Sequence, residues 1–342
     1  MILLGKSPNQ GAMASYEDGT ASCPEFYAIK RRVNGTILSS TDFDNAKPGF
    51  FEKLLGRSTT LKAALYALRR KADYEHIYTT GEELGVALLL GLKFSNWKGK
   101  VHMVVHACNS AKRRAMFRFL GDRHVGSYIC VSSTQANILT EKVGLPADKV
   151  HFWYNWVDTN FYDPRRADVS KTQGYIFSCG LENRDYATLQ AASAALPYSF
   201  LVQASGFFSA QPGEHDTEGN NFTVNRTKVP FEELRSLYAG ARFVVVPLNA
   251  VEYAAGVTGI LEAMSMGKAL VVTDSPGIRD YIVHEESALV VPPNDPTALA
   301  KAIAKLWEDD ELRDRMGARN RQWCIENAAV EDYATKVGEQ MR

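Results

Sequence analysis

The sequence predicts an α/β protein built from two doubly wound, Rossmann-like parallel-sheet domains. Three observations carry that expectation. Short apolar runs of strand length alternate with helical patterns almost throughout the chain, as parallel sheets covered on both faces require. The 342 residues are too many for one ordinary core and suit two domains. A polar, Pro-containing stretch after Asp158 separates one set of alternations from a fresh strand at Tyr175.

In the first half the strand-like runs are residues 2–4, 77–79, 101–105, 128–131 and 150–154, with helical patterns at 54–71 and 134–143. In the second half the strands are expected at 175–178, 200–203, 243–247, 269–273 and 288–291. Helices are expected there at 186–196, 231–239, 257–266 and 296–308. The predicted layout is therefore a first domain over 1–160, a linker over 161–173 and a second domain over 174–322. A C-terminal helix over 323–342 is expected to pack back towards the first domain. In sheets of this kind ligands bind at the carboxyl ends of the strands.

Composition is that of a globular protein, 45% hydrophobic and 23% charged, and zero formal net charge gives no support to a nucleic-acid partner. The zero hides an asymmetry: residues 1–166 carry 23 Lys and Arg against 15 Asp and Glu, and residues 167–342 carry 16 against 24. Either the first half meets an anionic surface or substrate, or two oppositely charged domains attract each other. Five scattered cysteines without CxxC spacing predict reduced thiols in a cytoplasmic protein, and neither a zinc site nor a disulfide framework. Met1 to Gly5 is too short for a signal-peptide core. The run 86–92 falls far below the ~20 residues of a membrane span.

The most informative stretch is residues 254–273, AAGVTGILEAMSMGKALVVT. A Gly-containing turn opens a helix that Gly267 closes. The free N–H groups around Gly256, Val257 and Thr258, with the positive end of the helix dipole, form a seat for an anion such as a diphosphate. Glu262 lies about one turn further on, roughly 5–6 Å along the axis, where a carboxylate can accept from ribose hydroxyls. Alone, such a turn reads equally well as tight helix–sheet packing.

This stretch resembles the donor-binding signature of retaining GT-B glycosyltransferases of the family four type, a group that includes sucrose synthases and many bacterial mannosyl- and glucosyltransferases. The resemblance rests on Glu262-Ala263-Met264, Gly267, Val271-Val272-Thr273, Gly277 and the run from Ala288 to Pro296, over roughly 100 residues. It implies the GT-B fold, two Rossmann-like domains facing a cleft, with the donor held by the second. The family's first signature Glu falls at Ala254 here. Glu252, two residues upstream, points differently and is not expected to replace it.

The resemblance further assigns Arg184, after the strand ending near Gly180, to the donor diphosphate, although the family's Arg directly after Gly180 is Leu181 here. Pairing of Arg184 with Asp185 or Glu182 is the alternative. His106, closing the strand 101–105, matches the family's sugar-contacting His. Residues 154–158, YNWVD, resemble the family's interdomain hinge, and the Gly-Gly pair common after the first strand is missing. A basic amphipathic pattern sets Lys53, Arg57, Lys62, Arg69, Arg70 and Lys71 around Leu54, Leu55, Leu61, Leu65 and Leu68. It reads either as a contact with anionic lipid or acceptor, or, more commonly, as a core helix with a solvated basic face. Lys112, Arg113, Arg114, Arg118 and Arg123 add charge after His106, and the loop 6–26 is expected to line the acceptor side.

The resulting expectation is a metal-independent, retaining hexosyltransferase without a cofactor, its donor a UDP, GDP or ADP sugar and its acceptor open. It is placed in the cytoplasm, with peripheral contact to an anionic membrane as one possibility. A non-catalytic nucleotide-binding scaffold and a nucleotide-sugar epimerase are the alternatives.

Overall fold

The computed structural model describes residues 1–5, 12–40, 42, 58–168, 173–204 and 221–342. The chain forms two compact units. The first comprises residues 1–17, 23–154 and 331–342, and the second comprises 18–22 and 155–330.

The first unit is built on a parallel sheet of β1 (Ile2–Leu3), β2 (Ile37–Leu38), β3 (His76–Thr79), β4 (Lys100–Val105), β5 (Val125–Cys130) and β6 (Val150–Phe152), in the order β2-β1-β3-β4-β5-β6. The chain winds from β1 out to β2 and starts again at β3 on the other side of β1, with all pairings parallel. One face is apolar: Leu3, Ile77, Val101, Met103 and Val105 pack with Ala63, Ala67, Leu88, Leu92 and Phe117 from the helices Thr59–Arg69, Glu82–Leu92 and Ala111–Leu120. The other face is partly polar. His76 Nδ1 and His102 Nε2 lie 2.9 Å apart, and His102 Nδ1 is 2.8 Å from Ser127 Oγ. Beside them the hydroxyls of Tyr78 and Tyr333 approach to 3.4 Å, Tyr333 belonging to the helix Val330–Gln340.

The second unit repeats the plan with β7 (Tyr175–Cys179), β8 (Phe200–Gln203), β9 (Phe222–Asn225), β10 (Ala241–Val246), β11 (Leu270–Thr273) and β12 (Ala288–Val291), in the parallel order β12-β11-β10-β7-β8-β9. The chain winds outward from β7 to β9, then starts again at β10 on the other side of β7. The loops following β7 and β10 therefore part at the topological switch point, where ligands of such sheets bind.

Several elements depart from the sequence reading. The two-residue β2 and the short β9 have too little apolar sequence to register. The Glu82–Leu92 helix is apolar on nearly every side, so it shows no helical period, and Ala111–Leu120 is dominated by cations. The basic helix expected over 54–71 runs Thr59–Arg69, its start fixed by Ser58 Oγ accepting from the Leu61 amide at 3.4 Å. Lys53, Leu54, Leu55 and Arg57 lie outside the described residues, as does the loop from Lys6 to Gly11. The rest of that loop carries the helix Ala12–Glu17.

The terminal helix expected over 323–342 is two helices, Asp310–Asn327 in the second unit and Val330–Gln340, which joins the first. Phe161, Tyr162 and Asp163, the first residues of the expected linker, are buried in the second unit. The polar, Pro-containing composition reads as a linker, but the two aromatic rings at its start pack edge-on, 5.1 Å apart.

The Asp310–Asn327 helix crosses the Val257–Ser265 helix at Gly317, where an added β-carbon would overlap the carbonyl oxygen of Gly267. Replacing a helix-interior Gly by Ala ordinarily gains about 1 kcal/mol. Here backbone meets backbone, and overpacking of that kind costs about 1–3 kcal/mol. Gly317→Ala should therefore destabilise the protein in urea titration; a stabilised variant would show that the helices separate freely.

Candidate functional site

The helix Val257–Ser265 begins at Gly256, whose φ of 82° is left-handed backbone that a side chain would strain. Ala255 and Val257 donate backwards within the turn, to Tyr253 O at 2.7 Å and Ala254 O at 3.4 Å. The amides of Gly256, Thr258 and Gly259 have no acceptor among the described residues. Thr258 is exposed, while the Val257 side chain is buried and its amide is turned back to Ala254, so the expected Val257 contribution to the anion seat is not among the open amides.

Arg184 reaches the same point from the loop after β7. Its Nε donates to Cys179 O at 3.0 Å and one terminal nitrogen donates to Glu182 O at 2.9 Å. Three glycines make room for the guanidinium. A β-carbon would lie 2.7 Å from it at Gly180, 3.0 Å at Gly256 and 3.4 Å at Gly259. The two loops at the switch point are laced together, Asp185 N to Pro247 O at 3.0 Å and Asn249 N to Asn183 O at 2.9 Å. The carboxylates weighed as ion-pair partners for Arg184 are occupied elsewhere. Asp185 caps the Thr188 amide at 3.0 Å, and Glu182 accepts from the Tyr253 hydroxyl at 3.1 Å.

Glu262 follows on the second turn. Its two oxygens each accept a tyrosine hydroxyl at 2.9 Å, Oε1 from Tyr162 and Oε2 from Tyr238. Both rings are buried, and they meet edge-on at 6.1 Å. Tyr162 is fixed by its carbonyl, which accepts from Ser265 Oγ and from Arg321, each at 2.8 Å. Burial raises the Glu262 carboxyl to about 7, against the two hydroxyl donors and the nearby Arg184 charge, which pull it down. Burial likewise pushes the Cys179 thiol beside it up to about 12.

The second unit thus brings Arg184, Gly256, Val257, Thr258 and Glu262 to one end of its sheet. His106 belongs to the first unit, exposed just past β4. Its amide donates to Glu82 at 3.0 Å and its Nε2 lies 3.3 Å from Thr80 O. Tyr162 and Tyr238 escaped the sequence reading, lying 100 and 24 residues from the acid they hold. Of the upstream residues, Ala254 is partly buried and Glu252 is exposed.

Chemically, a cation and open amides converge on one point at the mouth of a helix, with a hydrogen-bonding carboxyl one turn away. Two family models match the chain in tandem, Glycosyltransferase Family 4 over residues 39–161 and Glycosyl transferases group 1 over residues 222–323. The chain belongs to the GT-B glycosyltransferases of the family 4 type. Among curated relatives of this family, it is similar to the alpha-D-kanosaminyltransferase of Streptomyces kanamyceticus, at 25% identity over 214 residues covering 57% of this chain and 54% of that one. It is also similar to the D-inositol 3-phosphate glycosyltransferase of Corynebacterium efficiens, at 33% identity over 101 residues, 28% of this chain and 23% of that one. The chain thus spans about half the length of the first relative and about a quarter of the second.

Among solved structures, Anabaena Alr3699/HepE in complex with UDP matches with a TM-score of 0.71 at 15% identity, covering 99% of this chain and 98% of that one. Sucrose-phosphate synthase from Thermosynechococcus elongatus matches with a TM-score of 0.66 at 19% identity, over 82% and 76%. Both likenesses are of fold.

The raised Glu262 value has a defined effect on stability. A carboxyl whose folded value is lifted from 4.5 to about 7 contributes stability that is complete below pH 4.5 and lost as pH rises through about 7. The loss reaches up to ~3 kcal/mol. Glu262→Gln removes the ionisation, so its melting temperature should gain on the wild type between pH 5 and pH 8.5. A difference independent of pH would show that the carboxyl ionises normally.

Proposed function

We propose that this protein transfers a hexosyl group from a nucleoside diphosphate sugar to an acceptor hydroxyl, with retention of configuration. The observation that carries the reading is the Arg184 guanidinium set among Gly180, Gly256 and Gly259 at the open amides of a helix. Guanidinium and dipole are both positive there, and a diphosphate satisfies both. The open amides of Gly256 and Thr258, with Arg184, hold the diphosphate, Glu262 accepts from the ribose hydroxyls, and His106 contacts the sugar, as the family resemblance implies. In the reaction the bond from the anomeric carbon to the diphosphate oxygen breaks, and the acceptor oxygen bonds to that carbon on the same face. The acceptor proton passes to the departing diphosphate. Arg184 and the amides supply the charge that stabilises the leaving group, so the reading assigns no metal and no cofactor.

UDP is the first nucleotide to try, because Alr3699/HepE has been solved with UDP and glucose. The surplus of cations over residues 1–166 is read as facing an anionic surface or acceptor. Ala254, standing where the family signature has its first Glu, favours one second reading: a scaffold that binds nucleotide without turnover.

Thermal shifts with UDP, GDP and ADP test the binding half. One nucleotide should raise the melting temperature, and Arg184→Ala or Glu262→Ala should weaken its binding roughly tenfold or more, as loss of a charge-assisted hydrogen bond does. An unchanged shift in Glu262→Ala removes the ribose assignment. Binding without donor hydrolysis or transfer across a broad acceptor panel favours the scaffold. His106→Ala should lower turnover and leave the nucleotide shift unchanged.

A further inference from the structure

Large apolar side chains are seldom left in water in clusters, and where they are the cluster marks a contact. Among the described residues the exposed large hydrophobics include Leu90 at 42%, Phe94 at 89% and Phe119 at 55%. These three fall on one end of the first unit. Leu90 and Phe94 stand one helical turn apart at the close of the Glu82–Leu92 helix, and Phe119 at the close of Ala111–Leu120. Lys93 joins them: its Nζ lies 4.3 Å from the centre of the Phe119 ring and donates to the Phe119 and Leu120 carbonyls.

The surround is cationic. Lys98, Arg118 and Arg123 are exposed, and none of them nor Lys93 forms an ion pair among the described residues. Of the acids at this end, Asp73 pairs with Arg70 at 3.4 Å and Asp122 with Lys149 at 2.7 Å, while Glu75, Glu141 and Asp148 are exposed, as is the further cation Lys142. We infer that this end of the first unit docks on the surface of an anionic lipid bilayer, Phe94 and Phe119 entering the headgroup boundary while Lys93, Lys98, Arg118 and Arg123 lie against the lipid phosphates. The inference rests on the reading that the first half's surplus cations face an anionic surface, and it names that surface.

Charge complementarity selects the bilayer. A twofold pair of this chain through the same patch would set these cations against their own copies. An anionic leaflet instead attracts them, each contributing about fivefold in partitioning, and exposed aromatic rings suit the interface. The two kinds of group also act together. Lys93, its Nζ over the Phe119 ring, neutralises no acid, so its charge remains available to lipid.

Co-sedimentation with phosphatidylcholine vesicles containing 0–50% phosphatidylglycerol tests the inference. The full chain should bind increasingly with phosphatidylglycerol and less as salt rises. Phe94→Ser with Phe119→Ser should weaken binding to the anionic vesicles roughly tenfold or more. Lys98→Glu with Arg123→Glu should remove the preference for anionic lipid. These side chains are exposed, and unchanged circular dichroism and melting confirm that each variant folds. No binding at any phosphatidylglycerol content overturns the inference, as does binding that the aromatic variant retains. A wild-type dimer that the same variant turns into monomer assigns the patch to self-association and also overturns it. The UDP, GDP and ADP thermal shifts, measured on the same samples, report on the second unit. A protein that binds nucleotide but no vesicle loses only the docking surface, and one that binds vesicles but no nucleotide loses only the glycosyl-transfer reading.

Discussion

A guanidinium held against the amino end of an α-helix is electrostatically unfavourable by itself, because the dipole presents about half a positive charge at that end. The second unit builds this arrangement deliberately. A β-carbon at Gly180, Gly256 or Gly259 would crowd the Arg184 guanidinium, and backbone hydrogen bonds lace the loops after β7 and β10 together around it. Its Nε and one terminal nitrogen are already committed to the carbonyls of Cys179 and Glu182. Those bonds steady the group without neutralising it. Much else in the unit follows from that constraint. The turn is glycine-rich where the guanidinium lies, and Glu262, whose ionised form Arg184 favours, is held by other donors, two tyrosine hydroxyls.

Those other donors are the part of the site that the sequence conceals. Gly256, Thr258 and Glu262 lie within seven residues, so their relation follows from helix geometry alone and was legible in the sequence. Arg184 was singled out by the family resemblance, as a cation just after a strand. Tyr162 and Tyr238 were not, since neither belongs to a motif and each reaches Glu262 only through the packing of separate segments. Tyr162 sits in a stretch whose Asp163, Pro164, Arg165 and Arg166 give it the composition of a solvated linker. Its burial depends on Ser265 and on Arg321, from a helix more than 150 residues away.

The same distinction runs through the fold. Strands that are continuous apolar runs, such as those within 101–105 and 269–273, can be read from sequence because burial on both faces leaves no alternative composition. The Glu82–Leu92 helix fails the periodicity test for a related reason: Leu84, Leu88, Leu89 and Leu92 pack against the sheet while Leu90 faces water, so apolar residues occupy both sides. The polar face of the first sheet hides in the sequence too. His76, His102 and Ser127 look like isolated interruptions of three strands, and only the parallel register brings them into one hydrogen-bonded file. Burial and its histidine neighbour drive His102 down to about 3, so its buried ring carries no charge near neutral pH.

Glu262 shows how two demands on one side chain are reconciled. A carboxylate oxygen has two lone pairs, and each tyrosine takes one. The tyrosines fix the carboxyl group in position, and each oxygen retains a further acceptor direction. Burial opposes ionisation, the two hydroxyls and the Arg184 charge favour it, and the balance places the carboxyl near neutrality. On the proposed reading, Ala254 leaves a bound diphosphate with one acid fewer to meet than the family's first signature Glu would. The net field at the mouth of the helix is therefore more positive here than in a chain that carries both. Under that proposal, alanine at 254 bears on two different steps, weakening the hold on the sugar in turnover while favouring the phosphates in binding.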